Sequence, residues 1–186
     1  MNIQSKHPTT ADEFLRWNEG REGKWDFVDG KIVDMMVRVS KSHAVLAGNL
    51  LALLKSHLAM PPYVVTSADF GVKTATSVRY PDVMVDGTVG NGRDLAAAEP
   101  LLVAEILSPS TMAIDFGPKA DEYRTIETLR HYLVLAQDEP SVWIWSRNPD
   151  NSWRGPEMVT GAAETFSLPG LGLAISLAEL YAGIER

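Results

Sequence analysis

At 186 residues, 45% apolar and 22% charged, the chain has the size and composition of a soluble globular protein built as one domain, residues 1–186, around one sizeable core. It contains no cysteine, which excludes disulfides, thiolate metal sites and cysteine nucleophiles and fits a reducing, cytoplasmic setting. No apolar run reaches the ~18 residues that would span a membrane, the N-terminus holds no apolar signal core, and the net charge of −7 argues against the broad basic footprint of most nucleic-acid binders.

In chain order, TTADEFLRWNEG predicts a short helix, with Thr9 or Thr10 as cap, acids in the first turn and Gly20 past the end. KWDFVDGKIVDMMV predicts a hairpin turning at Asp29-Gly30. SKSHAVLAGNLLALLKSHLAM has Val45, Leu46, Asn49, Leu50, Leu53 and Leu54 at helical spacing, Ser40 or Ser42 as cap, and Pro61-Pro62 as terminator. Three short extended segments follow, YVVTS, FGVKTA and PDVMVDG, and then an exposed loop, DGTVGNGRDLAAAEP. PLLVAEILS reads as a buried strand, and Ser108-Pro109-Ser110 as the turn that ends it. FGPKADEYRTIETL predicts a helix with Pro118 in its first turn. HYLVLA and SVWIWSR are two further strands, and the tail ends in a short apolar helix. The order implies a mixed α/β (α+β) fold, with helices packed on a central sheet.

Glu105 is the anomaly. It interrupts the apolar run Leu101–Leu107, where an unpaired carboxylate would cost several kcal/mol. Its partner must be a cation, a donor or a metal. Asp82 opens the strand VMVDG, and Lys119 lies fourteen residues after Glu105. Asp115, Lys119 and Tyr123 share one helical face if the helix begins by Asp115. Should the strands of Asp82 and Glu105 be neighbours, two carboxylates would meet beside a lysine. Hard oxygen ligands of this kind suit Mg²⁺ or Mn²⁺ and metal-assisted phosphodiester hydrolysis. The structural alternative is a buried Glu105–Lys119 ion pair, with Asp82 bonding nearby backbone N–H groups.

From about residue 9 to about residue 180 the chain resembles the Uma-two family, a restriction-endonuclease-like branch of the PD-(D/E)XK nuclease superfamily. The resemblance rests on KWDFVDGKIVDM, SKSHAVLAGNL, VRYPDVMV, VAEILSPST, Asp115, Lys119, Tyr123 and RHYLVLA, taken in order. It implies a restriction-endonuclease-like central mixed sheet flanked by helices. It implies a metal-dependent endonuclease with Asp82, Glu105 and Lys119 as catalytic residues, and Mg²⁺ or Mn²⁺ held by Asp82, Glu105 and the Ile106 carbonyl. The lysine usual two residues after the second acid is replaced by Leu107, and Lys119 on the next helix matches the family's pattern. Where the family usually has glutamate after an aromatic residue, this chain has Trp25-Asp26. The expected partner is nucleic acid, DNA first, and a homodimer would suit double-strand cutting.

Other residues carry a functional and a structural reading each. Asp26, His43 and Tyr123 are further candidates near the metal, against a helix-start histidine and a core tyrosine. Lys41, Lys73, Arg79, Lys119 and Arg124 are the cations available for phosphate. His57 and His131 read as structural. Trp143 and Trp145 suit a core or a dimer interface better than base stacking, and GTVGNGRD lacks the phosphate-loop pattern. The rival functions are a non-catalytic binding or dimerisation module on the same fold, and hydrolysis of another phosphoester.

Overall fold

The computed structural model describes residues 7–35, 38–108 and 111–184. Helix α1 (Ala11–Asn18) starts at Thr10, whose hydroxyl accepts the Glu13 N–H, and it buries Phe14 and Leu15. Strands β1 (Lys24–Val28) and β2 (Lys31–Met35) form the expected hairpin. Asp29 and Gly30 have φ of 47° and 79°, the paired positive values that a two-residue turn of matching twist requires. The predicted hairpin extends to Met36 and Val37, which lie outside the described residues, as do Pro109 and Ser110 of the predicted turn. Helix α2 (Lys41–His57) is capped by Ser40, which accepts the His43 N–H at 3.0 Å. Its Leu46, Leu50 and Leu54 are fully buried, one per turn.

The remaining elements are β3 (Val64–Ser67), β4 (Val72–Lys73), β5 (Val78–Arg79), β6 (Val83–Asp86), β7 (Pro100–Ile106), α3 (Met112–Phe116), α4 (Pro118–Arg124), β8 (His131–Leu135), β9 (Ser141–Arg147), β10 (Trp153–Thr160), β11 (Thr165–Leu168), β12 (Leu173–Ser176) and α5 (Leu177–Leu180). Six strands make the central sheet in the order β10-β9-β8-β7-β6-β3. Its pairings are antiparallel except β7–β8, which is parallel because α3 and α4 form the crossover between them. A smaller sheet runs β2-β1-β5-β4, and β11 and β12 form a separate ribbon. The fold is thus mixed α/β, a central mixed sheet flanked by helices. Among the described residues, no helix is long and apolar enough to cross a membrane.

Strand alternation splits the core. Leu102, Ala104 and Ile106 of β7 pack with α2, α5 and the β11–β12 ribbon. Val103 and Leu107 face the opposite side, with Tyr123, Tyr132 and Trp145. Glu105 belongs by alternation to this second face. A third cluster, Phe14, Phe27 and Val78, joins α1 to the smaller sheet.

Three features differ from the sequence reading. The helix expected from Phe116 to Leu129 is shorter, α4 over Pro118–Arg124, and a separate helix, α3, precedes it, because Pro118 has no N–H to continue the ladder of α3. Strand β10 was not expected. Gly155 and Pro156 break its pattern, and they sit at a register shift against β9 between Arg154 and Glu157. The ribbon β11–β12 lies in what reads as an apolar tail, although Phe166, Leu168, Leu173 and Ile175 alternate inward on it.

His131 is structural, as expected. Its Nε2 accepts the Gly170 N–H at 3.2 Å, which leaves Nδ1–H to donate to Ser146 Oγ at 3.1 Å. Burial pulls its pKa from 6.5 down to about 4. A histidine held neutral by the fold binds fewer protons folded than unfolded. Its contribution is therefore complete above about pH 6.5 and lost as pH falls towards about 4. Urea unfolding of wild type and His131→Asn from pH 4 to 8 should show their stability difference growing with pH across that window and flat above it. A difference independent of pH would refute the assignment.

Candidate active site

Strands β6 and β7 are adjacent, with Val83 opposite Ala104. One step further along the same register, Asp82 comes opposite Glu105. Asp82 Oδ2 accepts the Ile106 N–H at 2.8 Å, and Oδ1 lies 3.0 Å from His43 Nε2, which places a proton on that nitrogen. His43 is buried in the first turn of α2, so this helix start is tied directly to the first acid. Gln137, which the sequence reading did not single out, strengthens the tie. Its side chain accepts from Ser40 Oγ and donates to the Leu107 carbonyl.

Glu105 is 5% exposed and Lys119 is 5% exposed, so the two charges meet out of bulk water. Lys119 Nζ lies 3.1 Å from Glu105 Oε1 and 3.0 Å from Asp115 Oδ1. Tyr123 donates its hydroxyl to Glu105 Oε1 at 2.8 Å. Asp115, Lys119 and Tyr123 thus converge although no single helix carries them: Asp115 is on α3 and the other two are on α4. Tyr132 donates to the Asp115 carbonyl at 2.9 Å and holds the junction of the two helices on the sheet.

Asp26 enters the same network from β1. Arg79 Nη1 donates to Asp26 Oδ2 at 3.1 Å, while Nε and Nη2 make a two-pronged pair with Glu122 at 2.8 and 2.5 Å. Arg79 therefore fastens the smaller sheet to α4 and is not a free phosphate contact. Lys73 pairs with Asp12 at 3.2 Å, and Arg124 pairs with Asp121. The Arg79–Glu122 clamp was not foreseen; a two-residue strand such as β5 has no periodicity to reveal it.

Burial dominates the electrostatics. The Glu105 carboxyl is pushed from 4.5 up to about 8 by desolvation, which Lys119 opposes and the charges of Asp82 and Asp115 reinforce. Desolvation likewise raises Asp26, against the pull of Lys119 and Arg79. Lys119 moves up despite its burial, because Glu105, Asp115 and Asp26 surround it, and its ammonium stays charged. Five carboxyl groups (Asp26, Asp82, Glu105, Asp115, Glu122) thus meet two permanent cations, Arg79 and Lys119, so acids are in excess even while Glu105 keeps its proton.

That excess suits a hard cation, although among the described residues no three His, Asp or Glu side chains are grouped to hold a metal ion. The available donors are the Asp82–Glu105 pair and the Ile106 carbonyl. Such a set fits Mg²⁺, which commonly binds through one or two carboxylates and completes its shell with water or substrate phosphate. Asp82, Glu105, Ile106, Asp115 and Lys119 line a cavity of about 660 Å³. The remaining candidates lie elsewhere. His57 is exposed at the end of α2, bonded to the Leu53 carbonyl, and Trp145 is in the core with Trp143 beside Phe116 at 5.1 Å. The stretch 89–93 is exposed and is not among the residues that line this cavity.

The chain matches a family model, Uma2, described as "Putative restriction endonuclease", over residues 11–178. Uncharacterized protein slr1290 of Synechocystis sp. is 28% identical over 181 residues, 94% of this chain and 92% of that protein. Uncharacterized protein sll1609 of the same organism is 31% identical over 169 residues, 88% of this chain and 95% of that protein. A crystal structure of "a putative nuclease belonging to DUF820" from Anabaena variabilis shares the fold, with a TM-score of 0.71 at 18% identity, covering 94% of this chain and 98% of that one.

The raised pKa of Glu105 has a measurable consequence. A carboxyl whose folded value exceeds its unfolded one holds its proton in the folded chain after the unfolded chain has released it. Stability then declines as pH rises from about 4.5 to about 8 and is level above. Glu105→Gln keeps an acceptor for Tyr123 and removes one charge from an acid-rich cluster. In metal-free buffer its urea midpoint should exceed that of wild type at pH 8, with the gain vanishing as pH approaches 4.5. A variant less stable than wild type at pH 8 would contradict this picture of the cluster.

Proposed function

The chain belongs to the Uma2 family, and from that premise we propose that it is a divalent-metal-dependent endonuclease that hydrolyses nucleic-acid phosphodiesters, with DNA the first substrate to test. The observation behind this reading is that buried Glu105 and Lys119 and half-buried Asp82 line one cavity. Asp82, Glu105 and the Ile106 carbonyl would hold Mg²⁺ or Mn²⁺, which when bound supplies Lewis-acid polarisation of the phosphate and a water of lowered pKa.

The protein's own groups have separable tasks. The Lys119 ammonium cannot serve as a base, since its neighbours hold it protonated. Its role is to offset negative charge that develops on the phosphate in the transition state. Asp115 and Glu105 fix its position from two sides. Tyr123 orients Glu105, and His43 with the Ile106 N–H orients Asp82, so neither carboxylate rotates freely. Asp26 acts at longer range, as a counter-charge to Lys119 held by Arg79. A homodimer would carry two such sites.

The second reading, a non-catalytic binding or dimerisation module, draws on a specific observation: both Asp82 oxygens and Glu105 Oε1 already have partners within the protein. Cleavage assays on labelled DNA and RNA with Mg²⁺ or Mn²⁺ separate the two. Asp82→Ala and Glu105→Ala should abolish cleavage, and Lys119→Ala should slow it by about 10²–10³-fold. Cleavage that survives in all three variants, or none by wild type with either metal, would rule out this function.

A further inference from the structure

Beside the acids, the cavity is lined by side chains of different chemistry. Trp25 and Tyr80, both half-buried and packed against the Phe14–Phe27–Val78 cluster on the α1 side of the smaller sheet, line it as well. Trp25 is held rigidly: its indole N–H donates to the Glu22 carbonyl at 3.1 Å, and Trp17 meets it edge-on at 6.1 Å. Gly23 has φ of +99°, and a Cβ there would come within 3.0 Å of the indole nitrogen, so glycine makes room for the ring. Tyr80 is held by Asn18, which donates to its hydroxyl at 2.9 Å. Lys24 and Arg38 also line it, neither ion-paired to a carboxylate among the described residues.

Size and charge restrict what enters. At about 660 Å³ the cavity matches the sites of about 300–1,000 Å³ that take small ligands, and two paired strands cannot both enter such a space. Glu105 and Lys119, each 5% exposed, are out of reach of a backbone that stays outside. Asp34 and Asp69 in the lining offset Lys24 and Arg38, and the whole chain carries −7. Duplex binding rests on neutralising many phosphates, which this lining cannot do. Aromatic rings beside a few cations are instead the chemistry that stacks an unpaired base.

Building on the nuclease reading, we infer that the cavity admits one unpaired nucleotide, its base against Trp25 and Tyr80 and its phosphate directed to the acids. The substrate is accordingly single-stranded DNA or a strand end in preference to continuous duplex.

The test is fluorescence anisotropy with wild-type protein in Ca²⁺, a hard cation for the same oxygen ligands that leaves both proposed metal-binding carboxylates in place. The probes are one labelled DNA sequence as a single strand and the same sequence as a dumbbell duplex closed at both ends. The single strand should bind at least about tenfold tighter, and adding Trp25→Leu should weaken it about tenfold, in line with the loss of one stacked base. A Lys24→Ala/Arg38→Ala pair, on the surface, should weaken it as well and serves if Trp25→Leu fails to fold by circular dichroism. Equal or tighter duplex binding, no binding of either probe, or single-strand affinity untouched by the substitutions would overturn the inference. The two readings fail differently. Glu105-dependent cleavage of the closed dumbbell as fast as of the single strand would leave the nuclease and remove this inference. Trp25-dependent single-strand preference without cleavage would do the reverse.

Discussion

A carboxylate on the buried face of β7 organises this molecule. Glu105 sits between Val103 and Leu107 on a face otherwise packed with tyrosine and tryptophan. Left alone there it would destabilise the fold by several kcal/mol. The fold answers with Lys119 and Tyr123 from α4, and Lys119 in turn brings Asp115. Each added partner is itself buried and needs its own. The polar network therefore spreads through Arg79 to Asp26 on the hairpin and Glu122 on α4.

The topology follows from the need to bring these groups together. Antiparallel β6 sets Asp82 beside Glu105. The parallel β7–β8 pair requires a crossover, and that crossover is the helix pair carrying Asp115, Lys119 and Tyr123. Helix α2, packed on the opposite face, reaches round the strand end with His43 and Ser40. The cavity thus opens beyond the carboxyl end of β7, where strand ends and helix starts commonly leave room for a ligand. Its lining combines an excess of acids with the half-buried rings of Trp25 and Tyr80.

Much of this was legible because the informative residues break local patterns. Glu105 stands out in an apolar run, and Asp82 stands out after Pro81 at a strand start. Asp115, Lys119 and Tyr123 repeat at four-residue spacing, and Asp29-Gly30 fixes the hairpin register. The resemblance to Uma-two proteins supplied what spacing alone leaves open, the association of Lys119 with the two acids. Parts of the site made by long-range pairing left no such trace. Arg79 meets Asp26 and Glu122 across 53 and 43 residues, from a strand of two residues. Gln137 follows a strand as any turn residue might, and only the fold turns it towards α2. The β10 strand was hidden by its own bulge, and the β11–β12 ribbon by Pro169 and the glycines at its turn.

We propose that the acid excess around Glu105 holds a divalent cation. Calorimetric titration of Mn²⁺ into wild type and into Glu105→Ala, both checked for native circular dichroism, tests it most directly. The expected result is saturable binding at one site in wild type that disappears in the variant. Binding that is identical in the two proteins, or absent from wild type, would mean that Glu105 and Lys119 are a structural ion pair and that the cavity's acids serve no metal.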